Sequence, residues 1–189
     1  MRRPPQFLPR LTFSWLLGLT ALSPAVLRSD TSSVAANPKA IAEVQSGKRT
    51  EANAAWWGFN ADDATDALQA AIRSGANKVI VPNLGRDWIV RPLQLVSGQE
   101  IFFEPGVVLT AQRGAYRGGG DSVLNADNLT NLVLRGYGAT VRMQKEDYIV
   151  GKVLKDLGWT RWYGQYEKAE WRMPLAIRGC VNVTVEGLT

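Results

Sequence analysis

The last ten residues, CVNVTVEGLT at 180–189, repeat an earlier stretch, LTNLVLRGYG at 129–138. Asn131 aligns with Asn182, Leu132 with Val183, Leu134 with Val185 and Gly136 with Gly187. Alternation of apolar and polar residues ending in glycine is how a strand enters a turn. A looser form of the unit, IFFEPG, stands at 101–106. Three related units predict stacked coils of a parallel β-helix, in which each coil covers its apolar side only against the next. A stack that stops at Thr189 would expose strand edges and an apolar cross-section. The expectation is therefore that the frame is truncated there, with further coils beyond.

Other short apolar runs lie at 78–82, 88–90, 92–96, 107–111, 123–124, 139–143 and 175–177, each bounded by Gly, Pro, Asn or Asp. Many short strands with almost no helix exclude a Rossmann or α/β-barrel architecture. One amphipathic helix is predicted over 63–74: Ala64, Ala67, Leu68, Ala71 and Ile72 recur at helical spacing, Asp62 or Asp63 stands at the N-cap, and Gly75 follows. It is placed to cap the first coil. Residues 37–55 are polar and without clear period, and read as a linker between a leader at 1–36 and a domain at 56–189.

The leader has arginines first, an apolar stretch at 11–22, then Pro24 and the small-residue run SSVAA at 32–36. That order matches a secretory signal peptide cleaved after Ala35 or Ala36 and predicts a secreted, periplasmic or cell-surface protein with no membrane association after cleavage. The formal charge of +5 does not point to nucleic acid, because Arg2, Arg3, Arg10 and Arg28 against Asp30 place most of it in the leader. The absence of histidine removes the Ser/His nucleophile pair and the usual zinc ligand. A single cysteine, Cys180, can form no internal disulfide and reads as a small turn residue.

Residues 56–111 resemble the opening of pectin-lyase-like right-handed β-helix proteins, in which a D-x-T-x-A-x-Q-x-A-I helix precedes a V-x-V-P strand and a P-L-x-L-x-S coil. The matching residues are Asp63, Thr65, Ala67, Gln69, Ala71, Ile72, Val79, Val81, Pro82, Pro92, Leu93, Leu95 and Ser97. The resemblance implies an all-β, right-handed, single-stranded parallel β-helix with an N-terminal capping helix. It implies a polysaccharide lyase or glycoside hydrolase acting on an acidic, uronate-containing polymer, monomeric in full length, with catalytic coils beyond residue 189. The alternative is a non-catalytic carbohydrate-binding or adhesion solenoid. No cofactor is expected, except calcium if the protein is a lyase.

The stretch GWTRWYGQYEKAEWRMP at 158–174 interrupts the repeat and reads as a projecting loop. Trp159, Trp162, Tyr163, Tyr166 and Trp171, beside Arg161 and Lys168, suit a pyranose ring, whose C–H face stacks while a uronate group needs a cation. The same aromatics would equally pack the loop onto the strands. Glu170, Arg172 and Asp147 are the candidates for acid/base or charge roles. Sugar hydrolysis needs two facing carboxylates, ~5.5 Å apart for retention or ~6.5 to 9.5 Å for inversion. Asp62, Asp63 and Asp66 could contribute to a calcium site, although calcium takes six to eight oxygens and helix capping accounts for these carboxylates.

Overall fold

The computed structural model describes residues 33–118, 120–144, 147, 149–154, 161–166 and 172–189, with 149–154 and 161–166 as backbone. The apolar leader therefore lies outside the described residues. A two-stranded antiparallel pair, β1 (Ser33–Val34) with β3 (Phe59–Asn60), opens the chain. The expected cleavage position, after Ala35 or Ala36, falls one or two residues beyond β1.

Residues 37–55, expected as a linker, hold helix α1 (Pro38–Gln45) and strand β2 (Glu51–Asn53). Asn37 caps α1 by accepting the Ala40 N–H at 3.1 Å, and Pro38 occupies its first turn, where a missing N–H costs nothing. Ala40, Val44 and Ala52 are buried. Eight residues with two buried positions are too short for periodicity to announce them.

Seven strands form one sheet in the order β2, β4 (Lys78–Val81), β7 (Glu100–Phe103), β10 (Thr130–Arg142), β8 (Val108–Ala111) and β5 (Trp88–Val90), with β14 (Val181–Leu188) also paired to β10. A second sheet orders β6 (Leu93–Gln94), β9 (Leu124–Asp127) and β13 (Leu175–Arg178). Pairing within both sheets is parallel. Strands β11 (Ile149–Leu154) and β12 (Arg161–Tyr166) form a separate antiparallel pair.

This corrects the expected single-stranded right-handed β-helix: the structure is a mixture of mostly parallel sheets, one of them curled into a half-barrel, rather than a solenoid. The reason lies in β10. Its 13 residues run through an irregularity at Gly136–Gly138, so its first half pairs with β7 and its second half with β8, while β14 pairs with it on both sides of the irregularity. One strand thereby belongs to two sets of partners, and the sheet curls instead of breaking into separate coils.

The inner face is built from cross-strand rows. Ala52, Val79, Ile101, Leu134 and Val185 stand opposite one another across β2, β4, β7, β10 and β14. The first four are at most 1% exposed, whereas Val185, on the outermost strand, is 42% exposed. Trp88, Leu109 and Val141 line the other half of the curl, and Leu93 and Leu124 the second sheet.

Helix α2 (Thr65–Ile72) is shorter than expected and packs Leu68, Ala71 and Ile72 inward. Its N-cap is Ala64, whose N–H donates to Ile89 O at 2.8 Å. Asp63, one residue earlier, accepts from the Thr65 amide at 3.0 Å and from the Thr65 hydroxyl. The Gln69 side chain pairs with the Gln94 backbone in both directions, at 2.8 and 2.9 Å, as a strand neighbour would. At the other end, Gln99 donates to Ile72 O at 3.1 Å and Ala76 O at 2.7 Å, satisfying a carbonyl left open by the helix.

Partial burial pushes the Asp63 carboxyl up, but the Thr65 hydrogen bonds and the Arg91 guanidinium outweigh it and hold the group below its ordinary value. A depressed carboxyl stabilises the fold above its unfolded pKa and loses that contribution as pH falls through the folded value. Asp63→Asn is expected to lower stability near neutrality by about 1 kcal/mol, as loss of a helix-start acceptor does. It should also make the acid limb of Tm against pH shallower than in the parent. Parallel acid limbs in the two proteins would contradict this role for Asp63.

Candidate functional site

Helix α1 ends at Ser46, and Gly47 reverses the chain with φ of 73°. The Gly47 amide donates to Val44 O at 2.9 Å and the Arg49 amide to Glu43 O at 3.1 Å, so the turn is closed by backbone hydrogen bonds. Parallel pairing of β2 with β4 then fixes Glu51 beside Lys78 and Asn53 beside Ile80. Between the turn and the strands lies an open depression of about 490 Å³ lined by Lys48, Arg49, Thr50, Glu51, Ala52, Asn53, Trp56 and Ile80.

Arg49 is held on two sides. Its Nε donates to Glu43 Oε2 at 2.6 Å, and its guanidinium carbon sits 5.3 Å from the Trp56 ring centroid. A planar cation laid on an aromatic ring keeps its orientation and its outward N–H groups. Neither terminal nitrogen of Arg49, nor Lys48 Nζ, nor Asn53 Nδ2, has a partner among the described residues. The Arg49 hydrogen bond pulls the Glu43 carboxyl below its ordinary value against slight desolvation, with Lys39 and Lys48 adding to the pull. The site therefore offers two cations, an amide donor and a hydroxyl, with one lining carboxylate, Glu51. That set can hold an anionic group while accepting a hydrogen bond from a neighbouring hydroxyl.

The candidates read from the sequence fall elsewhere. Asp147 accepts from Arg113 Nη1 at 2.7 Å and from the Gly114 amide at 3.0 Å. Arg172 donates through Nε to Tyr116 O at 2.6 Å and through Nη2 to Arg117 O at 3.3 Å. The two residues thus meet the same loop, 113–117, and tie it down. Trp159, Lys168, Glu170 and Trp171 lie outside the described residues, and Arg161, Trp162, Tyr163 and Tyr166 stand in β12, described as backbone alone.

Of the calcium candidates, Asp63 and Asp66 are engaged by Arg91, at 3.1 and 2.8 Å, and Asp62 donates its amide to Asn60 Oδ1 at 2.9 Å. Among the described residues no group of three or more Cys, Asp or Glu is disposed to hold a metal ion. Cys180 is a half-buried turn residue whose sulfur lies 3.2 Å from Ala126 O and 3.3 Å from the Leu129 amide.

The Lys48–Arg49 turn was missed because it lies in a stretch that reads as linker. The signal available was Asn37-Pro38, a helix start, followed nine residues later by Gly47 and two cations. Comparison of the chain with protein-family models, curated proteins and solved structures finds no match.

Proposed function

We propose that this chain is an exported protein that binds an acidic, uronate-containing polysaccharide, with the Lys48–Arg49–Trp56 depression as a contact surface. The observation that carries this reading is the Arg49 guanidinium, which lies over the Trp56 ring, is held by Glu43 through Nε and lines the depression, leaving the edge with its two terminal nitrogens without a partner among the described residues. A sugar carboxylate would take that edge and the Lys48 ammonium, while Glu51 and Asn53 would meet ring hydroxyls. Binding is favoured over hydrolysis at this site because the depression is lined by one carboxylate, where an acid and base pair needs two.

Titration calorimetry with polygalacturonate and with a neutral glucan tests the reading. The parent chain should bind the acidic polymer in preference. Arg49→Ala is expected to weaken that binding by roughly tenfold to a hundredfold, the worth of a charge-assisted hydrogen bond. Equal affinity for both polymers, or an Arg49→Ala variant that binds like the parent, would overturn it.

A further inference from the structure

The depression beside the Lys48–Arg49 turn has two electrostatic ends, and Glu51 makes the second. Side chains alternate across a strand, so the burial of Ala52 puts Glu51 and Asn53 together on the outer face of β2. Glu51 is exposed, and the residue opposite it in the ladder is a cation, Lys78. Opposite charges side by side on one sheet face attract each other. Lys78 is nevertheless engaged on its other side: its ammonium lies 3.5 Å from Glu100 Oε1 and 5.0 Å from the Phe102 ring centroid, both on β7. The Glu51 carboxylate is left with no partner among the described residues.

The surroundings of that carboxylate decide what can sit against it. Asn53 accepts the Ala55 amide through Oδ1 at 2.9 Å, and Ile80, opposite Asn53 in the ladder, is apolar. Neither carries a charge. The two cations that line the depression, Lys48 and Arg49, stand on the turn, and the α-carbons of Arg49 and Glu51, two residues apart, are separated by no more than about 7 Å. That is comparable to the step from one sugar of a polysaccharide to the next. A uronate held by Arg49 and Lys48 would thus bring the neighbouring sugar to Glu51. A hydroxymethyl group on that sugar would donate a hydrogen bond to the Glu51 carboxylate. A second uronate would set a like charge there, with the nearest strand cation already committed to Glu100.

We propose that Glu51 makes the depression selective for a uronate flanked by neutral sugars, and that it disfavours a polymer with an acid group on every sugar. The inference rests on the reading of the depression as a uronate site and adds the character of the neighbouring sugar. The positive charge of the turn alone would give the opposite order, since each further carboxylate on the ligand would be drawn toward Lys48 and Arg49.

The probes are two trisaccharides of the same linkage: tri-galacturonate, and galactose–galacturonate–galactose, which differs only at the exocyclic carbon of the outer sugars. Each is titrated into the full-length chain, and proton–nitrogen NMR follows the Arg49 Nε–H and the Trp56 indole N–H. The ligand with a single acid is expected to bind about fivefold tighter, the size of one partly screened like-charge contact. Glu51→Gln, at an exposed position where the circular dichroism should not change, is expected to reverse the order. Arg49→Ala should weaken both ligands. Tighter binding of tri-galacturonate by the parent, or a ratio that Glu51→Gln leaves unchanged, would overturn the inference and leave the uronate reading standing. If neither trisaccharide moves either signal, or if Arg49→Ala binds both like the parent, the uronate reading falls and this inference falls with it.

Discussion

Trp88→Ala is expected to cost about 4 kcal/mol, the upper range for removing a large buried ring and leaving its cavity. Trp88 is completely buried, and its indole donates to Pro82 O at 3.0 Å and meets the Phe59 ring edge-on at a centroid distance of 4.9 Å. It joins the curled sheet to the opening antiparallel pair, because Phe59 belongs to β3 while Trp88 stands opposite Leu109 in the parallel ladder. Truncation removes the packing, the ring contact and the partner of a buried carbonyl together. Trp88→Phe keeps most of the apolar volume and loses the indole N–H, and should cost about half as much, near 2 kcal/mol. Chemical denaturation of the three proteins checks the order. Equal destabilisation by alanine and phenylalanine would mean that the hydrogen bond, and not the volume, is what matters at this position.

Gly187→Ala is the second large effect, expected near 3 kcal/mol from a left-handed backbone and overpacking combined. Gly187 has φ of 69°, and a β-carbon there would stand 2.6 Å from the Tyr137 ring and 2.8 Å from Tyr137 Cα. The ring can rotate away, but the Tyr137 backbone cannot, because β10 is pinned by β7 and β8 on either side of it. Since the strain falls on the outermost strand, native-state hydrogen exchange should show β14 amides losing protection while those of β7 keep theirs. Uniform loss across the sheet, or none, would place the strain elsewhere.

Alternation of apolar and polar residues made many of the strands legible in the sequence: the runs at 78–82, 88–90 and 107–111 fall on β4, β5 and β8. The repeat also showed which residues of β10 and β14 face each other, since Leu132 pairs with Val183 and Leu134 with Val185. It gave no sign of the irregularity that follows, where β10 carries three residues between Arg135 and Ala139 against Gly187 alone in β14, and the ladder resumes with Ala139 opposite Leu188. Period-two patterns report which face a residue occupies, not which strand lies beside it. That is why the mixing of sheets through β10 was not legible, and why the repeat suggested a solenoid in its place. The site stayed hidden for a different reason. Lys48 and Arg49 have ordinary turn composition, and only the fold of α1 onto Trp56 turns them into a surface.

The long strand β10 also governs the time course of folding. Its side-chain contacts reach 35 residues back to Glu100, 32 back to Thr110 and 51 forward to Glu186. Strands β7 and β8 are joined to each other through β10, so closing the curl waits on the arrival of Thr130–Arg142. Topologies whose contacts are this distant in sequence fold slowly, because loop closure is lost before contact energy is gained. During synthesis from the first residue onward, the two pieces β2-β4-β7 and β5-β8 would leave β7 and β8 uncovered until β10 emerged, and the rate at which that one segment docks would set the interval during which the nascent chain is vulnerable to association.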